Sequence, residues 1–485
     1  MSWLEVLVQG IIYFNWFVLG YFIILNSVYL VLFLASLWET IRHARRNLRV
    51  DYETMLSSDM AWPITVIVPA FDEEKTIVST VRSLLMLSYR EYEVVVVNDG
   101  SNDETLQRLI KAFELRCVDR VYKRSIPTQP VRGIYACLGH PNLTIVDKEK
   151  GGKSDALNTG INLSRYPLYC SVDADSVLEE EALLKVVKPF MEHPEETVAV
   201  GGIVRCVNGC EVREGRVTKV ALPKKLLATF QVVEYLRAFL TGRIGWSVFR
   251  SLLLISGAFG LYKKSEVIEV GGYDQFTDTE DLELVVKLHE NLRRKKQRYR
   301  VVFVPDPVCW TEVPGNLRTL YRQRNRWHRG MLQSFSRHIR MFFNPRYGSV
   351  GMFAFPFAAL FEALGPFVEI TGYLVVTLSF LLGILNVQFF MLFLAMAILY
   401  GVLLSVSAIL LEEISFRRYP AWEDLTRLVL FGVLENFGYR QLLSAFKVMA
   451  LWDFLRRKRT WGKMDREGFR APQSAADAVP AKPNA

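Results

Sequence analysis

Two stretches without a single charged side chain decide what this chain can fold into. Residues 6–38 hold none, and neither do residues 370–411, in a sequence of 485. In hydrocarbon a backbone must satisfy its own polar groups, so long apolar runs are read as membrane-crossing helices. Residues 15–38 alone reach about 36 Å as a helix, against a hydrocarbon core of about 30 Å. One crossing is therefore expected, with 1–45 as an N-terminal transmembrane helix. It is not a cleavable signal, because Arg42, Arg45, Arg46 and Arg49 follow the apolar run instead of preceding it. The second run would span about 63 Å as one helix, roughly twice a bilayer. A hairpin over 364–411 is predicted, turning near Gly383 to Gln388.

The charge pattern agrees. The formal net charge is +9 and mean hydropathy is +0.17. Residues 40–49 carry four arginines and no acid, residues 313–361 eight arginines and no acid, and residues 455–470 seven basic residues against Asp465 and Glu467. The basic excess thus flanks the apolar runs, as cytosolic cations do, and the rest of the chain is acidic. A nucleic-acid partner would need that excess on the soluble part, so none is expected. Placing the last basic cluster in the cytosol requires that 425–454 not cross, so an interfacial or re-entrant helix is predicted within 412–470. The Ala/Pro-rich 471–485 should be disordered. The plasma (bacterial inner) membrane is the expected location, multi-pass, with the soluble part cytosolic. Six cysteines without a Cys-x-x-Cys pair read as reduced thiols, with no structural zinc.

Residues 62–312 read as an α/β domain. Short β-branched runs at 64–68, 93–97, 143–146, 168–172 and 198–204 alternate with helical spacing at 74–87, 104–113, 154–163 and 179–191, the pattern of a largely parallel sheet. Ligands of such sheets bind beyond the carboxyl ends of the strands, and acids gather there. Asp72, Glu73 and Glu74 follow the first run. Asn98, Asp99, Gly100 and Ser101 follow the second, as a ligand-accepting turn or an Asx turn capping the next helix. Asp173 and Asp175 follow the fourth; two carboxylates so close suit a hard cation shared with phosphate oxygens, or a solvated loop. Farther on, Ser256, Gly257, Ala258 and Phe259 precede Thr279, Glu280 and Asp281, where an acid opens a helix as a general base or as a favourable partner of the helix dipole. Within 313–363, Gln323, Arg324, Asn325, Arg326 and Trp327 suit a basic interfacial helix on anionic lipid. One face also offers an amide, a guanidinium and an indole, a set that fits a diphosphate and a sugar.

In this order and between transmembrane segments, these strings resemble the processive family 2 glycosyltransferases, the cellulose, hyaluronan, chitin-oligosaccharide and poly-N-acetylglucosamine synthases. The resemblance covers about 63–333. It implies a GT-A (Rossmann-like) catalytic domain and a nucleotide-sugar donor. It also implies inversion at the anomeric carbon, and a growing polysaccharide as acceptor, exported through the protein's own helices, with the polar face of 425–454 as candidate lining. Accessory export or modification proteins have a place in such a system. By resemblance, Asp281 is the base. Ala70, Glu73, Asp99, Lys153, Asp173, Gln323 and Arg326 contact the donor nucleotide. Asp175 holds Mg²⁺ or Mn²⁺, and Gly257, Phe259, Glu280 and Trp327 shape the acceptor site. UDP-N-acetylglucosamine is the expected donor, with UDP-glucose next. The roughly 75 residues after the hairpin leave no room for a cyclic-dinucleotide module. The insertion at 117–141 receives no role. The rival readings are a non-processive transferase acting on a polyprenyl or other lipid, and a catalytically silent scaffold or conduit.

Overall fold

The computed structural model describes residues 3–47, 61–213, 215–416, 418–419 and 421–458. Arg49, Arg417, the basic residues from Arg459 onward and the 471–485 tail lie outside them. The chain opens with α1 (Trp3–Asn47), a single helix of 45 residues, about 68 Å long at 1.5 Å per residue.

The α/β domain follows as β1 (Ile64–Ala70), α2 (Ile77–Leu85), β2 (Tyr92–Asn98), α3 (Thr105–Phe113), β3 (Arg116–Cys117), β4 (Val131–Ala136), β5 (Leu143–Lys148), α4 (Lys153–Leu163), β6 (Leu168–Val172), β7 (Ser176–Leu178), α5 (Ala182–Glu192) and β8 (Thr197–Cys206). After a small ribbon, β9 (Glu211–Arg213) with β10 (Arg216–Lys219), come α6 (Leu226–Leu236), β11 (Phe259–Lys263), α7 (Glu280–Arg294) and β12 (Arg300–Thr311). The ten-stranded sheet runs β3-β4-β5-β2-β1-β6-β11-β8-β12-β7. Its heart, β5-β2-β1-β6, is parallel, whereas β11 lies antiparallel to both β6 and β8, and β4 and β7 are antiparallel at the edges. The sheet is thus mixed, more so than the largely parallel one the strand pattern predicts. The reason is local: residues 249–258 bring the chain back between β6 and β8 through a tight turn at Ser256 to Phe259. Val94, Val95, Val96 and Val97 are wholly buried, as expected for a parallel strand covered on both faces.

Chain order moves from β1 outward to β2 and β5, then jumps back to β6 on the other side of β1. The crevice between the ends of β1 and β6 is therefore the topological switch point where such sheets bind ligands.

Beyond the sheet, α8 (Leu317–Arg337) lies across the domain and a bent segment, Val350–Ala363, leads at 40° into α9 (Gly365–Leu381). The predicted hairpin run is α9 and α10 (Val387–Ser415), separated at 382–386. The 425–454 run, read as one helix, is two: α11 (Trp422–Leu434) and α12 (Tyr439–Leu455), broken before Gly438 at φ +102°. At 13 and 17 residues they reach only about 20 and 26 Å, short of the roughly 30 Å core. Among the described residues two helices are long and apolar enough to cross a membrane, three if the bent pair is one span, so the chain is a membrane protein.

Polar contacts tie these helices to the α/β domain. Arg205 of β8 meets Glu412 of α10 at 2.5 Å, each 2% exposed. Glu234 of α6 accepts from Arg324 of α8 and Tyr439 of α12, both at 2.9 Å.

Candidate active site

The site grows from the strand ends. After β2, Asp99 is buried, and its oxygens accept from Lys148 Nζ at 2.7 Å and from the backbone N–H groups of Gly151 at 2.9 Å and Gly152 at 2.7 Å. Burial pushes the Asp99 carboxyl above its ordinary range, against the pull of Lys148. A carboxylate offers about four acceptor positions, so three are spent on the chain's own 148–152 loop. Lys148, fully buried, also pairs with Asp155 of α4 at 2.6 Å. That triad aims the N-terminus of α4, and with it Lys153. Ala70 is buried at the end of β1, where its carbonyl accepts from Asp99 N–H at 2.9 Å. Glu73 N–H donates to Thr105 Oγ1 at 2.9 Å.

Lys153 Nζ sits between Asp173 Oδ1 at 2.7 Å and Glu280 Oε1 at 2.9 Å. Burial alone would lower its pKa, yet Asp173 and Glu280 hold it well above the lysine range. Glu280 is lowered in turn: burial opposes its ionisation, but the positive charges of Lys153 and Arg326 prevail. Asp281 moves the other way, raised first by burial and then by the neighbouring Glu280 charge. It is held by the N–H groups of Gly257, to Oδ2 at 2.9 Å, and Leu282, to Oδ1 at 2.8 Å. A side chain at Gly257 would come within 2.9 Å of Lys153 Nζ and 3.4 Å of both Glu280 and Asp281, so the turn before β11 lies directly against these groups and a larger residue there would displace the lysine head. Two adjacent acids are thus split, one kept ionised by cations and one poised upward, the division that general-base chemistry needs.

The helix α8 is stapled to the start of α7. Asp278 Oδ2 accepts from Arg329 Nε at 2.6 Å and Gln333 Nε2 at 2.8 Å, while Asp278 N–H donates to Gln333 Oε1 at 2.9 Å. Gly330 packs so tightly that a Cβ there would lie 2.4 Å from Thr279 Oγ1. Arg326 reaches the Asp278 carbonyl at 3.5 Å. Gln323 is buried, its Oε1 without a hydrogen-bond partner among the described residues. The Arg324 guanidinium lies 4.4 Å over the half-buried Trp327 ring, fixing the indole.

Of the residues expected from sequence, the structure brings Lys153, Asp173, Gly257, Glu280 and Asp281 into one bonded group, with Arg326 beside it. Ala70, Glu73 and Asp99 line the adjoining strand ends. Phe259 pairs with Val172, fully buried in the main core, and so forms the floor beneath Gly257. Sequence reading missed Lys148, Asp155, Asp278, Arg329 and Gln333. Their signal was at most proximity to the motifs, since each acts through a partner distant in the chain. The unassigned insertion has a place as well: Ser125 and Ile126 N–H donate to Asn162 Oδ1 at 2.9 and 3.0 Å, and Gln129 N–H to Asp155 at 3.1 Å, strapping it onto α4.

Among the described residues no group of three or more His, Cys, Asp or Glu could form a complete metal cage. The donors at the β6–β7 turn, Asp173 and Asp175, fit the mode in which Mg²⁺ or Mn²⁺ takes one or two carboxylates and completes its shell with phosphate oxygens.

The α/β domain, with its acids and lysine at the switch point and its junction to membrane helices, agrees in fold with a GT-A glycosyltransferase, and the family comparison gives that class. Residues 65–232 match Glycosyl transferase family 2 and residues 170–405 match Glycosyl transferase family group 2; the chain carries a family 2 glycosyltransferase domain. It is similar to the poly-beta-1,6-N-acetyl-D-glucosamine synthase of Staphylococcus aureus strain COL, 30% identical over 270 residues, 55% of this chain and 54% of that protein. It is also similar to that of Staphylococcus epidermidis, 26% identical over 268 residues, with the same shares. The chain therefore spans about half the length of the curated relatives it matches. A solved structure, the mannosyltransferase PcManGT from Pyrobaculum calidifontis in complex with GDP-Man and Mn²⁺, is 19% identical, with 90% of this chain and 100% of that chain covered and a TM-score of 0.48.

Proposed function

We propose that the protein is an inverting, processive β-glycosyltransferase. It builds a polysaccharide of N-acetylglucosamine from UDP-N-acetylglucosamine on the cytosolic side of a bacterial inner membrane and passes it out between its own helices. The observation that carries this reading is Asp281, held by two backbone N–H groups with its pKa raised, beside a Lys153 that bridges Asp173 and Glu280.

In this account the nucleotide lies against Ala70, Glu73 and the remaining acceptor position of Asp99, which takes a uracil N–H. Lys153, Gln323 and Arg326 face the diphosphate, with Asp173 beside the nucleotide. A divalent ion on Asp175 would neutralise charge on the leaving diphosphate. Asp281 removes the proton of the acceptor hydroxyl, whose oxygen attacks the anomeric carbon opposite the departing UDP, so that one displacement inverts the centre. Trp327 stacks on the terminal sugar of the acceptor, with Glu280 and the Gly257 turn beside it. The choice of N-acetylglucosamine over glucose draws its support from the staphylococcal relatives.

Export draws support from a cavity of about 890 Å³ that touches Leu282, next to Asp281, and continues along Phe22 of α1, Tyr373 of α9, Leu394 of α10 and Ser444 of α12. Polar residues of the predicted lining segment, Asn436, Arg440, Gln441 and Lys447, face it. The test is Asp281→Asn: transfer should fall by about 10²- to 10⁴-fold, the usual weight of a general base, while UDP still binds in a calorimetric titration. A variant that keeps making polymer at the parental rate refutes the assignment.

A further inference from the structure

The helix α4 carries a line of buried polar side chains that the reaction scheme does not use. Asp155, Asn158 and Asn162 are spaced three and four apart, so they share one helix face, and all three are buried. A buried polar group is costly unless it is bonded, and these are spent on two loops. Asn162 binds the 117–141 insertion: its Oδ1 accepts from Ser125 and Ile126 N–H, and its Nδ2 donates to the Ile126 carbonyl at 2.8 Å. Asn158 binds the loop leading into α7: its Nδ2 donates to the Tyr273 carbonyl at 2.9 Å, and its Oδ1 accepts from Tyr273 N–H at 2.8 Å. Asp155 serves both loops. Its Oδ2 accepts from Gln129 N–H of the insertion at 3.1 Å and from Gln275 Nε2 of the α7 loop at 2.8 Å, while its Oδ1 takes Lys148 at 2.6 Å.

One carboxylate therefore stands between the two halves of the site. On one side Lys148 leads to Asp99 and the 148–152 loop at the strand ends. On the other, Gln275 belongs to the loop that carries Asp281. The insertion closes over both, and Ile126 packs so near Gly272 that a Cβ there would lie 2.7 Å from its Cδ1. We propose that Asp155 is a positioning residue: with Gln275 and the insertion, it fixes the distance between the nucleotide seat and the base. It touches no reacting atom. Its two oxygens hold two loops at one spacing, and a reacting group misplaced by about 1 Å loses about a hundredfold in rate. This gives the insertion and Gln275 a role, and it rests on the transferase reading above.

Replacing Asp155 itself would strand Lys148, so the test cuts the link at Gln275, an exposed residue. Gln275→Met and Gln275→Glu keep the length of the side chain but give no N–H to Asp155. For the full-length protein in detergent with Mg²⁺, steady-state transfer from UDP-N-acetylglucosamine is measured beside calorimetric binding of UDP. In both variants kcat should fall about ten- to a hundredfold. The KM for the donor, the Kd for UDP and the binding stoichiometry should stay within about twofold of the parent's, because the link bears on the placement of the base and not on the hold on the nucleotide. An unchanged stoichiometry shows that the same fraction of the protein is folded. Parental kcat in both variants overturns the proposal. So does a UDP Kd that rises in step with the lost kcat, which would mean that Gln275 supports the nucleotide seat itself. A parent protein that transfers no sugar refutes the transferase reading and the positioning role with it.

Discussion

At the scale of single residues, the account turns on how one environment divides two neighbouring acids. Glu280 is held ionised by Lys153 and Arg326 against the cost of its burial, and its charge then helps to raise Asp281. Asp281 must be ionised to act as a base, so activity should fall as pH drops through its raised pKa. Glu280→Gln removes a like charge and leaves Lys153 freer to favour the Asp281 anion. Both effects lower the Asp281 pKa, so the acid limb of kcat/KM should move to lower pH, as a pH profile of UDP release would record. An upward shift would contradict this ordering. Lys148 makes a different kind of prediction. It is fully buried between Asp99 and Asp155, and Lys148→Met would strand two carboxylates. Breaking one such buried pair costs about 3–5 kcal/mol, which thermal unfolding in detergent would show as a large drop in midpoint.

At the scale of elements, α8 and α7 behave as one piece. Asp278 is gripped by Arg329 and Gln333, and Gly330 admits Thr279 at a distance no side chain permits. Gly330→Ala should cost about 1–3 kcal/mol in overpacking and lower transfer about ten- to a hundredfold, because Asp281 lies two residues beyond the contact and small displacements of reacting groups are expensive. Assays of transfer and of unfolding on the same preparation would check both. The α7 acids and the Gln323 to Trp327 string were legible in the sequence because their residue types advertise chemistry. The staple was not, because Asp278 and Arg329 are ordinary surface types until the fold sets them face to face. The same holds for Arg324, which reads as another membrane cation but is spent on Glu234 and the Trp327 ring. Strand positions were legible from β-branched runs such as Val94 to Val97. The antiparallel insertion of β11 was not, because residues 259–263 carry no mark of which neighbours they will pair with.

At the scale of the whole molecule, the charge-free runs fold as long apolar helices, and among the described residues two helices are long and apolar enough to cross a membrane, three if the bent pair is one span. The break between α11 and α12 escaped notice because one glycine, Gly438, is a weak signal inside an apolar stretch. What the fold adds is a cavity lined by Leu282, the residue after Asp281, and by the membrane helices, a placement that suits the proposed route of export. That juxtaposition is the central claim. Its most direct test is to seal the purified protein in proteoliposomes, catalytic face outward, and supply Mg²⁺ or Mn²⁺ with UDP-N-acetylglucosamine. UDP release and the length and location of labelled product would then be measured. The account predicts UDP release with polymer in the lumen, protected from added glycosidase. UDP release with only single sugars, or polymer left wholly outside, would contradict it.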